Sequence, residues 1–179
     1  GERVEVEADL AIDCRSGWLA SESSFGRIFR ERHGVRYARG VNLVIDRQLC
    51  ECAMGFPSSF GREKSRFLFM VPHEGKTMIG TWYLPLRSSP DDASTTEEER
   101  HRMMEEIAAG MPGAELSVEN IVSQQVGILP CTDYPGAELD EPQPTEAPAV
   151  VRGPELGEPD GVWFVQGEKW TTARRTAAA

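Results

Sequence analysis

Basic residues are scarce in this 179-residue chain: 19 Lys and Arg stand against 29 Asp and Glu, for a formal net charge of −10. No Lys/Arg cluster offsets the carboxylates, which argues against a nucleic-acid phosphate partner and leaves the charge a role in solubility. No apolar run approaches the roughly 20 residues that a helix needs to cross a bilayer. Histidines number three and cysteines four. Cys14, Cys50, Cys52 and Cys131 form no pair of Cys-x-x-Cys motifs, and the single Cys-x-Cys offers at most two ligands. That argues against a metal site and for reduced thiols in a cytoplasmic setting. Nowhere do the glycines fall into Gly-x-Gly-x-x-Gly, so the dinucleotide fingerprint is missing.

What is present reads as an α+β chain with a mixed, largely antiparallel sheet and helices on one face. Val4 to Asp13 has the alternation and apolar end of a strand, which enters the segment Cys14–Trp18. Ser23 or Ser24 suits the cap of a short helix carrying Phe25, Ile28 and Phe29 on one side, with Gly34 at its end. Val35 to Arg47 predicts a long strand. Its Arg36 and Arg39 could face an acidic substrate, but exposed strand charges are more often simply solvated. Leu49 to Gly61, punctuated by Gly55, Pro57, Ser58 and Ser59, reads as loop. Arg66–Val71 and Thr77–Tyr83 make the clearest hairpin, joined through Pro72–Lys76, with His73 a solvated turn residue.

Farther on, Pro90-Asp91-Asp92 breaks the chain, and Ser94, Thr95 and Thr96 each precede a glutamate by three residues, the signature of a capping box. The helix it starts should show Met103, Met104, Ile107 and Ala108 on one apolar face and stop at Gly110 and Pro112. Ser117–Asn120 suggests a single helical turn before a strand over Ile121–Pro130. Cys131 to Asp160, rich in Pro, Glu, Asp and Gly, reads as a surface excursion containing one short strand, Ala149–Arg152.

The last stretch carries the chemistry. Val162–Gln166 is a bulky apolar run suited to a strand, Gly167 permits a turn, and Thr171 or Thr172 can cap a helix that continues into the alanine-rich tail. Free amides at such a start, the positive end of the helix dipole and Lys169 beside them make an anion site. By spacing alone the same residues also fit an ordinary strand-to-helix connection.

Gly167-Glu168-Lys169-Trp170-Thr171-Thr172-Ala173-Arg174 resembles the Gly-Gly-Lys-Leu-Thr-Thr-Tyr-Arg segment of FAD-dependent glycerol-3-phosphate dehydrogenases, members of the D-amino-acid-oxidase-like flavoprotein superfamily. Phe67–Thr81 is similar to that family's hairpin, an apolar strand, Ile-Pro-Trp, a turn and Ile-Ile-Gly-Thr-Thr. Arg39-Gly40-Val41-Asn42-Leu43-Val44-Ile45 resembles its Lys/Arg-Gly-Ser-His-Ile-Val-Val strand. The order of these segments, with Asp91-Asp92, Asn120–Pro130 and Arg152, extends the likeness over most of residues 35–179.

The resemblance implies the substrate-side portion of a flavoenzyme, with FAD bound in the full-length parent and a small hydroxy or amino substrate oxidised by hydride transfer. Cofactor contacts would come from Gly167, Lys169, Trp170, Thr171 and Thr172, and substrate contacts from Arg152, Lys169 and Thr81, with Gly80 beside it. No general base is identified. Residues 1–20 and 161–179 would belong to the FAD-binding domain, with 21–160 the substrate side and an acidic excursion at 131–160. The main partner would be the missing N-terminal FAD-binding domain of the same chain; the location would be cytoplasmic, with peripheral attachment to the inner face of a membrane left open. Several positions depart from the pattern. Ser16 and Gly17 replace a Gly-Pro, Trp82-Tyr83 replace Thr-Asp, Glu168 replaces a glycine, and Ile128 or Leu129 stands where an anion-holding arginine is expected. Those departures keep a rival reading alive, a non-catalytic interaction or scaffolding module derived from a flavoprotein; a third is an unrelated acidic α+β domain.

Overall fold

A helix with one buried carboxylate, laid against a five-stranded sheet, is the mechanical centre of that sheet. The computed structural model describes residues 4–15, 36–58, 66–86, 93–131, 142, 144, 149–167 and 173–178. The chain divides into two units: Gly1–Ala38, Pro85–Asp91 and Ile128–Ala179 form the first, Arg39–Leu84 and Asp92–Gly127 the second.

The first unit carries a three-stranded sheet, β1 (Ala11–Asp13), β8 (Val162–Gln166) and β7 (Ala149–Arg152), in that order. β1 runs parallel to β8, Ala11 beside Val162 and Asp13 beside Phe164, and β7 runs antiparallel on the other side. The strand expected from Val4 shrinks to three residues. Val4, Val6 and Leu10 are exposed and find no partner face, so alternation alone does not hold them in a sheet. Gly161, at φ +86°, turns into β8 so closely against Asp9 that a Cβ would lie 2.9 Å from its carbonyl oxygen.

The second sheet has the order β3-β4-β5-β2-β6, with β2 Arg36–Ile45, β3 Met54–Ser58, β4 Arg66–His73, β5 Lys76–Pro85 and β6 Ile121–Cys131. The β4–β5 hairpin is tighter than the sequence predicts. His73 pairs with Lys76, leaving a two-residue turn, Glu74-Gly75, with φ of 51° and 77°, the left-handed pair whose twist matches the strands it joins. β3 is a correction: its Gly55, Pro57 and Ser58 read as loop, yet they pair with β4. Proline is tolerated because β3 is an edge strand and need not donate on both sides.

Helix α1 (Glu97–Gly110) starts at the third of the three candidate caps. Thr96 Oγ1 accepts from the Glu99 amide at 3.2 Å and the Glu99 carboxylate returns to the Thr96 amide at 2.9 Å. Met103, Met104 and Ile107 pack on Val41, Leu43, Ile45, Phe56, Leu68, Met70, Ile79 and Trp82 to form the core. Ala108 is exposed instead, and the fourth buried helix residue is Glu106, only 4% exposed.

Glu106 ties three adjacent strands to the helix. Its carboxylate accepts from Ser58 Oγ on β3, from Arg66 Nε and Nη2 on β4 at 3.0 and 2.7 Å, and from Trp82 Nε1 on β5 at 2.8 Å. Burial works to raise its pKa, but the donors from Arg66, Ser58 and Trp82 outweigh it and hold the carboxyl below its usual range. Arg39 is a second correction. It is 1% exposed, not solvated, and its guanidinium donates to both Glu99 oxygens, at 3.2 and 2.7 Å, and to the Ser94 carbonyl at 2.7 Å. That bidentate pair fastens the start of α1 to β2, a geometry lysine cannot reproduce.

Candidate functional site

Each unit carries part of the set of residues singled out in the sequence. In the first unit, the parallel pairing of β1 and β8 brings their carboxyl ends to one edge, where α/β sheets receive ligands. The exit of β8 is pinned there. Gln166, 2% exposed, accepts from the Tyr37 hydroxyl at 3.0 Å and donates to the Gly167 carbonyl at 3.3 Å. Among the described residues, none comes within 4 Å of where a Cβ on Gly167 would lie. Lys169, Trp170, Thr171 and Thr172 lie outside the described residues, as do Glu168, Ser16 and Gly17; the chain is described again at helix α2 (Ala173–Ala177).

An open depression of about 670 Å³ flanks the same strands, lined by Ala11–Arg15, Glu158, Val162 and Phe164. Arg15 reaches back to Asp13, with Nη2 2.7 Å from Oδ2 and Nε at 3.0 Å from the same oxygen. Partial burial favours the neutral acid at Asp13, but the side-chain and backbone donors of Arg15 prevail and lower its pKa. An anion approaching this edge therefore meets a charge pair already closed on itself.

Arg152 ends β7 directly opposite Trp163. Its guanidinium lies 5.6 Å over the Trp163 ring, and Nη2 is 3.0 Å from Asp160 Oδ1. The side chain is 53% exposed. An exposed ion pair of this kind is worth about 0–1 kcal/mol, so a better anion can displace Asp160 while the stacked ring keeps the guanidinium in place.

In the second unit, Thr81 is half-buried on β5 and its hydroxyl donates to Asn42 Oδ1 on β2 at 2.9 Å. Gly80, joined to Thr81 by a cis peptide bond, allows this approach, since a Cβ would lie 2.1 Å from Asn42 Oδ1 and 2.9 Å from the Val41 carbonyl oxygen. Trp82, which stands where the resembling family has threonine, is buried in the core and its indole N–H donates to Glu106. His73 is half-buried at the hairpin end, and Ile128 and Leu129 are half-buried on β6. No group of three or more His, Cys, Asp or Glu among the described residues is arranged to hold a metal ion. Sequence reasoning missed Asn42, whose only signal is its single polar side chain in the run Val41–Ile45, and Glu106, whose signal is a carboxylate on the apolar face of α1.

No protein-family profile matches the chain. Its sequence is 29% identical over 181 residues to the aerobic glycerol-3-phosphate dehydrogenase of Staphylococcus aureus strain USA300, covering 98% of this chain and 30% of that protein, and it matches the protein of strain MRSA252 equally. The chain is thus similar in sequence to a part of the aerobic glycerol-3-phosphate dehydrogenases. An X-ray structure of the glycerol-3-phosphate dehydrogenase from Bacillus halodurans, complexed with FAD, shares its fold with a TM-score of 0.65 at 21% identity, over 94% of this chain and 30% of the other. The chain thus spans about a third of the length of the dehydrogenases it matches. The α+β fold expected from its sequence agrees with this neighbour. No described helix is long and apolar enough to cross a membrane.

Proposed function

We propose that this chain is the substrate-side portion of an FAD-dependent oxidoreductase that oxidises a small hydroxy or amino compound, in the manner of the dehydrogenases it resembles. The similarity to aerobic glycerol-3-phosphate dehydrogenases along nearly the whole chain carries the proposal. Two features of the described residues support this reading: no described residue crowds Gly167, and two parallel strands deliver their carboxyl ends to one edge. The sequence includes no Gly-x-Gly-x-x-Gly for a pyrophosphate, so that part of the cofactor is assigned to the remainder of a longer chain.

FAD, when bound, supplies the hydride acceptor. The protein's part is orientation and charge. Gly167, Lys169, Trp170, Thr171 and Thr172 would line the cofactor, with Lys169 and the neighbouring amides favouring negative charge there. The carboxylate of Glu168, where the resembling family has glycine, would oppose that charge. Arg152 would hold an anionic group of the substrate in exchange for Asp160, and Thr81 would hold a polar group. Residues 1–20 and 161–179 would sit with the cofactor and 21–160 with the substrate.

Flavin absorbance of the full-length protein tests this. A bound flavin that is bleached by glycerol 3-phosphate is expected, with slower bleaching in Lys169→Ala; a colourless protein indifferent to added FAD refutes it. The apolar Ile128 and Leu129, where an arginine is expected, favour the second reading, a redox-silent interaction module, and that colourless result would support it. The chain by itself should bind FAD weakly, so submicromolar affinity in calorimetry would contradict the division proposed here.

A further inference from the structure

Asn42 has no role in the reading above, and its surroundings give it one. It lies on β2 between Val41 and Leu43, whose side chains fill the core, so it faces the opposite side of the sheet, half-buried. Thr81 Oγ1 donates its proton to Asn42 Oδ1 at 2.9 Å. With that proton engaged, Thr81 offers only lone pairs to a third group. Asn42 Nδ2 offers only donors, two N–H groups with no partner among the described residues. The amide is fixed over Gly80, where the missing Cβ makes its place. An acceptor and a donor thus sit side by side on a half-buried surface.

We propose that Asn42 and Thr81 form a hydroxyl-recognising pair for the alcohol group of the substrate, an inference that rests on the oxidoreductase reading. A hydroxyl both donates and accepts: its proton goes to Thr81 Oγ1 and its oxygen receives Asn42 Nδ2–H. A carbonyl oxygen only accepts. It keeps the bond from Nδ2 but sets its lone pairs against those of Thr81, so the pair prefers the alcohol to the ketone formed on its oxidation and favours product release. Asparagine does not titrate, so Asn42 orients the substrate and takes no proton from it.

The test is the affinity of the full-length flavoprotein for glycerol 3-phosphate, read from how the rate of flavin bleaching saturates with its concentration, and for its ketone, read from the perturbation of flavin absorbance, in wild type, Thr81→Val and Asn42→Ala. Both ligands carry the same phosphate, so charge effects cancel in their ratio. Thr81→Val should bind the alcohol about 3–10-fold more weakly, the worth of one neutral hydrogen bond, and the ketone unchanged. Asn42→Ala should weaken both. An unchanged alcohol-to-ketone ratio in folded Thr81→Val overturns the pair; if that variant does not fold, undiminished affinity of Asn42→Ala for both ligands overturns it. A wild type that holds flavin and binds glycerol 3-phosphate while the variants behave like it sinks the pair but leaves the oxidoreductase reading standing. A wild type without flavin removes that reading and the pair with it.

Discussion

Glu106→Gln changes one oxygen to an amino group inside the helix–sheet contact, and its cost can be worked from the donors that surround it. The carboxylate takes two hydrogen bonds from Arg66, one from Ser58 and one from Trp82. Glutamine has one acceptor oxygen, so whichever way it turns, its NH2 points at donors. Arg66, only 15% exposed, also loses the charge of this carboxylate. Removing one partner of a buried pair costs about 3–5 kcal/mol. With a urea dependence of about 2 kcal/mol per molar, the unfolding midpoint of the chain should fall by about 2 M at neutral pH. The pH profile adds a signature. Because the folded pKa lies below the unfolded value, this stabilisation is complete above the unfolded pKa and is lost as pH falls through the folded one. Wild type and variant should therefore differ most at neutral pH and converge in acid. Urea titrations followed by tryptophan fluorescence across that range check both parts. A midpoint shift below about 0.5 M, roughly 1 kcal/mol, would refute the reasoning, as would a gap that widens in acid.

Other consequences are open to simpler tests. Gly80→Ala drives a Cβ into Asn42 and the Val41 carbonyl, so thermal unfolding should show a loss of about 1–3 kcal/mol; an unaltered melting temperature would contradict the packing. Thr96→Ala removes half of the capping box and should cost about 1 kcal/mol, whereas Thr96→Ser should be nearly neutral in the same denaturation assay. Cysteine alkylation followed by mass spectrometry should modify the exposed Cys14 and Cys52 quickly. Cys50 and Cys131 should react only on unfolding: both are buried, and burial together with the neighbouring Cys52 pushes the Cys50 thiol pKa up. Rapid labelling of all four in native buffer would count against this.

Local signals made much of the fold legible. The β4–β5 hairpin announces itself through apolar runs bounding Glu-Gly, and α1 through its caps and methionines, because turn chemistry and helical period act over neighbouring residues. Interactions across distant segments left no such trace. Arg39 looks solvated until Glu99 is folded beside it, and Glu106 looks like a surface acid until β3, β4 and β5 each supply a donor. β3 hid behind its glycine and proline, which an edge strand tolerates. For the candidate site, the sequence singled out Thr81 and Arg152 through motif resemblance, but motif order says nothing about what each side chain touches. Only coordinates reveal that Thr81 has given its proton to Asn42 and that Arg152 already holds Asp160.

The parallel strand pair also sets a timetable for biosynthesis. β8 is the middle strand of its sheet, and its partner β1 lies almost the length of the chain away in sequence, with Ala11 waiting for Val162. While the ribosome is still decoding the intervening codons, β1 cannot pair with β8, and its Ile12, exposed even in the folded chain, stays available to chaperones or to neighbouring nascent chains. The β4–β5 hairpin and α1 can settle as they emerge, whereas β1 and β8 can join only after Gln166 has been made.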